Sequence, residues 1–279
     1  MSTRGKPTTF GPGEVVGNYV LEEKLGEGAV GVVYRASADT GGPVAVKLLK
    51  RELADDDVYP RRFLHEARTA AEVEHRHLVP VLEAGEARGH HYLVVAYVEG
   101  RSLADRLDGE GRLPIEAVVR LARHIGAGLD ALHRGGLVHR DVKPSNIMLD
   151  AQEAAALTDF GLAKGPAYTV LTRTGQVVGT LDYLAPELIR GEPATPASDI
   201  YALGCVLYEC LSGSPPFGGR SMFEVGSAHL LEEPTELSSL RPEVVPALGW
   251  AVAQALAKDA EKRPPTATAY AHMVRLAAG

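Results

Sequence analysis

Two regimes of hydrophobic patterning divide this chain. Up to about residue 98 the apolar residues come in short runs, partly alternating with polar ones and bounded by Gly, Pro or Asp, which is the pattern of strands. Val32-Val33-Tyr34-Arg35-Ala36 is β-branched and aromatic, turns at Gly41-Gly42-Pro43 and returns as Val44-Ala45-Val46-Lys47-Leu48-Leu49, which predicts a hairpin. A helix over about residues 59–74 follows, and strands at 78–82 and 92–98 complete a small antiparallel sheet that Glu99-Gly100 breaks. Beyond that point the spacing becomes helical. Ile115, Val118, Val119, Ala122, Ile125, Leu129 and Leu132 share one face until Gly135-Gly136 stops them, and Ser102 with Asp105 forms a capping box for a shorter helix ahead of them. Residues 147–149 and 156–158 read as a short hairpin. Residues 199–211 read as a helix apolar on every side, hence buried, ended by Pro215-Pro216; further helices fall near 244–258 and 268–276. The expected class is α+β, with a β-rich lobe over about 14–98, a hinge about 96–100, a helical lobe over 101–279 and a flexible lead-in at 1–13.

Charge and composition narrow the picture. At 279 residues with net charge −7 the chain can bury a large core and does not offer a nucleic-acid surface. Cys205 and Cys210 lie five apart in the apolar helix, on different faces, and read as buried free thiols in a reducing compartment. No apolar run follows Arg4 and Lys6, and none approaches the roughly 18 to 20 residues of a membrane helix. The expectation is a cytoplasmic chain making no membrane contact of its own, or the intracellular domain of a longer membrane-anchored protein.

Candidate chemistry concentrates in His139-Arg140-Asp141-Val142-Lys143-Pro144-Ser145-Asn146. Pro144 fixes its own φ and biases Lys143 away from helix, so this is a loop with a set course. Asp141 can accept a proton, Lys143 can neutralise developing negative charge, and Asn146 can offer an oxygen to a metal. The hairpin that follows places Asn146 beside Asp159, two oxygen ligands for a hard divalent cation. Upstream, Gly26-Glu27-Gly28-Ala29-Val30-Gly31-Val32-Val33 has the Gly-x-Gly-x-x-Gly spacing. A dinucleotide fold would open a helix at its third glycine; here a strand follows, so a hairpin whose backbone closes over phosphates is the better reading. Lys47 is a lone cation in an apolar strand and needs a partner, for which Glu66 on the next helix is placed. His75 and His77 sit at a helix-to-strand connection without a further ligand at metal spacing and read as part of a turn.

These motifs stand in one order, closed by Asp159-Phe160-Gly161, Ala185-Pro186-Glu187, Asp199 and Arg263. In them the chain resembles the bacterial eukaryotic-like (Hanks-type) serine/threonine protein kinases with PknB-like catalytic domains, from about Tyr19 onward. The resemblance implies a bilobal protein-kinase fold, its β-rich N-lobe carrying one regulatory helix and its C-lobe mainly α-helical, and a phosphotransferase using ATP with Mg²⁺ or Mn²⁺. It implies that the hairpin from Gly26 through Glu27, Gly28, Ala29 and Val30 to Gly31 covers the phosphates, and that Lys47 binds the α- and β-phosphates and pairs with Glu66. Adenine would lie between Leu25, Val33 and Ala45 on one side and Met148 on the other, with Val95 as gatekeeper, the segment Ala96-Tyr97-Val98 giving backbone hydrogen bonds, and Thr158 preceding the metal ligand. Asp141 would accept the substrate proton, Lys143 would steady the γ-phosphate, and Asn146 and Asp159 would hold the metal. Lys143 and Thr180 match serine/threonine kinases acting on protein substrates. Arg140 would receive a phosphate added to Thr172 or Thr174, with Thr169 a further candidate. Phe160, Gly161 and Asp199 would be structural, as would a buried Glu187–Arg263 bridge. Ala96 stands where the family often has Glu, which leaves backbone bonding intact. Relatives also pair their N-lobes as homodimers. A pseudokinase scaffold is the competing reading, and no residue handling metal, phosphate or proton is missing to support it.

Overall fold

The strand-like runs of the first hundred residues pair into one antiparallel sheet. In the computed structural model, which describes residues 10–28, 31–38, 41–50, 58–159 and 181–279, the strands are β1 (Val15–Val16), β2 (Tyr19–Glu27), β3 (Gly31–Ala38), β4 (Pro43–Leu49), β5 (Val81–Ala87) and β6 (His90–Ala96). They stand side by side in the order β1-β2-β3-β4-β6-β5, with helix α1 (Val58–Ala71) against β5. One face of the sheet is a core of Leu21, Tyr34, Val44, Val46, Leu48, Tyr92 and Val94, closed by Phe10 and Val16. Since side chains alternate along a strand, the pairing of Val33 with Lys47 and of Ala45 with Val95 puts those four residues together on the other face.

The sequence reading places a strand at 78–82, and here the structure differs. The strand begins at Val81, while Val79 N–H donates to Leu157 O at 2.8 Å and His77 O accepts from Leu157 N at 2.9 Å. Pro80, which has no N–H, marks the change of partner, its carbonyl accepting from Ala96 N at 3.0 Å. β5 then runs on through Glu83 and Gly85 without apolar alternation. The space is filled from β6: a Cβ at Gly85 would lie 2.7 Å from the Tyr92 ring, and the Tyr92 hydroxyl donates to Glu83 Oε1 at 2.6 Å. The chain divides into two compact units, one comprising the described residues of Met1–Ala71 with Pro80–Tyr97, the other Glu72–Val79 with Val98–Gly279.

The second unit holds a three-stranded sheet, β7 (Gly100–Ser102), β8 (Ile147–Asp150) and β9 (Ala155–Leu157), in that order. Gly100 is therefore more than a break. It opens β7 opposite Asp150, where a Cβ would lie 1.9 Å from the Leu149 carbonyl oxygen, so only glycine fits. The helices are α2 (Leu103–Glu110), α3 (Ile115–Arg134), α4 (Pro186–Ile189), α5 (Pro196–Ser212), α6 (Met222–Leu231), α7 (Leu237–Leu240), α8 (Pro246–Gln254) and α9 (Ala267–Ala278). Ser102 and Asp105 form the expected capping box on α2. The apolar helix α5 is buried along nearly its whole length, with α3 and α8 packed on it. It stops at Gly213, whose φ of 90° is left-handed, two residues before the prolines credited with that role. Both cysteines are free and buried, and burial pushes both thiols up, which leaves them unreactive. Among the described residues no helix is long and apolar enough to cross a membrane.

Candidate active site

Helix α3 ends at Gly135, Gly136 turns the chain with φ 75°, and the chain reaches His139, whose side chain is wholly buried. Its Nδ1 accepts from the Asp141 N–H at 3.3 Å, so its Nε2, 3.1 Å from Thr158 O, is the protonated nitrogen and donates. Burial pushes the imidazole pKa down, more than the nearby carboxylates of Asp199 and Asp141 push it up, so the ring is neutral. The ring thus joins the loop bearing Asp141 to the residue before Asp159.

The loop is fixed from below by α5. Asp199 accepts from the backbone N–H of His139 through Oδ2 and from that of Arg140 through Oδ1, both at 2.8 Å, and its Oδ2 also meets His133 Nε2 at 2.8 Å. Arg140 sits at φ 65°, a left-handed conformation that costs a non-glycine residue about 1–2 kcal/mol. Two charge-assisted bonds to one buried carboxylate offset that cost. His133, on the last turn of α3, is a member of this site that the sequence reading missed; its spacing on the helix carried no signal beyond an ordinary polar residue.

Above this support the loop turns through Pro144–Asn146 as a single 3₁₀ turn. Lys143 Nζ lies 2.9 Å from Asp141 Oδ2, and Asn146 Nδ2 donates to the same oxygen at 3.0 Å and to the Asp141 carbonyl at 2.8 Å. Those two donations set the amide, so its oxygen points away from Asp141. Thr158 N–H donates to Asn146 O at 2.9 Å, extending the pairing of β8 with β9 and carrying Asp159, at φ 59°, to the Asn146 end of the hairpin. A carboxamide and a carboxylate at one end of a hairpin are the kind of oxygen donors that a hard divalent cation takes.

Beside Asp141 and Lys143 a hollow is lined by Tyr183, Leu184 and Leu188. The Tyr183 hydroxyl donates to Glu209 Oε2 on α5 at 2.7 Å. Burial, with Asp182 and Asp108 adding to it, pushes the Glu209 carboxyl up to about 7 against the opposing pull of that bond. Below the hollow, Pro186 starts α4 and Glu187 meets Arg263 in a two-pronged pair, Nη1–Oε1 at 2.7 Å and Nη2–Oε2 at 2.8 Å. Ser198 Oγ also donates to Glu187 Oε1 at 2.7 Å, and the guanidinium lies 4.8 Å over the Tyr201 ring.

The remaining sequence-derived residues that the structure describes belong to the first unit, apart from Met148 on β8 and Val98, which opens the long stretch of the second. Gly26 and Glu27 pair with Val33 and Val32, and Gly28 N–H donates to Gly31 O at 2.9 Å, so the glycine string does form a hairpin. Leu25 is on β2, and Lys47 on β4 and Glu66 on α1 are both half-buried. The Ala96 N–H donates to the Pro80 carbonyl at 3.0 Å, and Tyr97 lies under the Arg35 guanidinium at 5.6 Å. Ala29, Val30, Phe160, Gly161, Thr169, Thr172, Thr174 and Thr180 lie outside the described residues.

Residues 19–274 match the family described as protein kinase domain. The serine/threonine-protein kinase PknD of Mycobacterium tuberculosis (strain CDC 1551 / Oshkosh) is 41% identical over 254 residues, covering 90% of this chain and 38% of PknD. The serine/threonine-protein kinase PknE of M. tuberculosis (strain ATCC 25618 / H37Rv) is 41% identical over 258 residues, 92% of this chain and 44% of PknE. The chain thus spans less than half the length of these relatives. Among solved structures, the M. tuberculosis PknI kinase domain superposes with a TM-score of 0.80 at 28% identity, over 97% of this chain and 100% of that one.

Proposed function

The chain belongs to the protein kinase domain family, and from that premise we propose that it transfers the γ-phosphoryl group of ATP to serine or threonine hydroxyls of proteins. The observation that carries the reading is the Asp141 carboxylate held by both Lys143 and Asn146 at one end of the hairpin that presents Asp159. Asp141 orients the attacking hydroxyl and takes its proton. Lys143 supports the charge that gathers on the transferred group, and the neutral His139 keeps the two segments in register. Asn146 and Asp159 would hold Mg²⁺, which with Mn²⁺ as substitute supplies charge neutralisation on the phosphates. In the first unit, Lys47 with Glu66 and the glycine hairpin would take the phosphates, and the face bearing Val33, Ala45 and Val95 would meet adenine.

Protein substrates, Thr172 and Thr174 as sites of autophosphorylation, pairing of two copies through the first unit, and residence on the cytoplasmic side belong to the same reading. The relatives' names as serine/threonine-protein kinases favour it over a scaffold without activity. The test is transfer of labelled phosphate from ATP to the chain itself or to a generic protein substrate, with and without Mg²⁺. Asp141→Asn should lose transfer by at least about 10²-fold while a thermal-shift assay still registers nucleotide. Equal labelling by wild type and variant would refute the assignment.

A further inference from the structure

His75-x-His77, a turn by its sequence, has a partner across the second unit. The His77 and His124 rings stack with centroids 4.2 Å apart and planes 15° from parallel. Both address the same residue of β9: His77 Nδ1 lies 2.8 Å from Ala155 O, and Ala155 N–H donates to His124 Nδ1 at 3.2 Å. The roles follow from the backbone. A carbonyl can only accept, so His77 carries its hydrogen on Nδ1; an N–H can only donate, so His124 holds a lone pair on Nδ1. The segment bearing His77 continues along the same edge, its carbonyl accepting from Leu157 N and Val79 N–H donating to Leu157 O. Helix α3 is relieved for it at Gly128, where a Cβ would come 2.8 Å from His77 O. Residues 72–79 therefore cover the outer edge of β9, and the strand they cover ends two residues before Asp159.

We propose that His77 and His124 are positioning residues for the strand that presents Asp159, and that a proton taken up by His124 opens this clasp. Protonation would set an N–H at His124 Nδ1 against the Ala155 N–H, donor facing donor. It would also add a cation to a crowded set. From α3 itself Arg123 and Arg120 act on His124, with Arg123 Nη2 at 3.4 Å from Nε2; from residues 72–79 come His77 and Arg76. His77 in turn is faced by His75, Arg76 and Arg123, whereas from β9 its bond to the Ala155 carbonyl opposes them. Burial foremost, then these neighbours, brings His124 down to about 4 from an ordinary 6.5. A group with a depressed native value binds its proton more readily once released, so the clasp is indifferent to pH above 6.5 and opens progressively as pH falls toward 4. What Asp159 does depends on the kinase reading; the clasp itself does not.

The test is amide hydrogen exchange of the segment Ala155–Leu157 in the intact chain at pH 7.5 and pH 4.5, corrected for intrinsic rates, with α5 as internal reference. In wild type, exchange in this segment should rise roughly tenfold or more at the lower pH, the full linkage being discounted for solvent screening. His124→Gln, whose carboxamide oxygen still accepts but takes no proton, should stay protected at both. His124→Phe, which stacks without accepting, should exchange fast at both. A rise of equal size in wild type and His124→Gln, or none in wild type, overturns the proposal. Because the readout is backbone protection, a chain that moves no phosphate can still pass it, and an active chain can fail it.

Discussion

Replacing Arg263 with methionine should destabilise the second unit by about 3–5 kcal/mol. The Arg263 side chain has no exposure and that of Glu187 is 8% exposed, so neither charge has water to fall back on. Arg263 satisfies both Glu187 oxygens and also the carbonyls of Ala197 and Ala257, each at 2.9 Å. Truncation leaves a buried carboxylate to lean on the Ser198 hydroxyl, and two carbonyls short of a donor. Against a typical domain stability of about 5–15 kcal/mol that is roughly a fifth or more of the whole. Removing both charges should cost clearly less than the two single losses together, because the double variant buries no unpaired charge, although the Ala197 and Ala257 carbonyls still lack their donor. A cycle of Arg263→Met, Glu187→Leu and the pair, unfolded in urea and followed by fluorescence of Trp250, measures this; Trp250 is the chain's one tryptophan and lies on α8. Burial raises the Glu187 carboxyl, yet the hydrogen bonds and charge of Arg263 outweigh it and hold the group below its ordinary 4.5. The stabilisation is therefore present above that value and is lost as pH falls below it, so the deficit of Arg263→Met should narrow in acid. A single-variant cost under about 1 kcal/mol, or additivity within about 0.5 kcal/mol, would refute the account.

Two further outcomes follow from the same site. Asp199→Asn keeps the shape but offers one acceptor oxygen where the two backbone amides and His133 use both; it should lower stability by about 1–3 kcal/mol and cut phosphoryl transfer at least tenfold, read by urea unfolding and a labelled-ATP assay. Glu209 has a native pKa raised to about 7, so its contribution is fully present below about 4.5 and is lost as pH rises through 7. Glu209→Gln, still able to accept from Tyr183, should therefore be more stable than wild type at pH 8 by about 1 kcal/mol after allowance for partial exposure, and no more stable at pH 5; a constant difference between the two would count against it.

Much of this molecule could be read from residue order where the determinants are local. The run Asp199–Leu211 is apolar at every turn and is buried at nearly every turn; Ser102 with Asp105 caps a helix; the glycine string is followed by a β-branched run and forms a hairpin. What escaped reading depends on partners distant in sequence. β5 has no alternation because Tyr92 occupies the room Gly85 leaves, and Leu78-Val79 pair not with that sheet but with Leu157. His133 and His124 are two of ten histidines with nothing in their neighbours to single them out; what distinguishes them is a carboxylate 66 residues away and a backbone amide 31 away. Tyr183 and Glu209 meet across 26 residues for the same reason.

The loan of residues 72–79 to the second unit bears on any attempt to dissect this protein. A fragment cut to begin at Val98 would look complete by its helices, yet it would leave the outer rim of β9 stripped of the backbone that now covers it, a bare ladder of donors and acceptors inviting a second copy to stick. Adding residues 72–79 back as a separate peptide is the natural remedy, and the fragment's solubility with and without it would gauge how much that short stretch contributes.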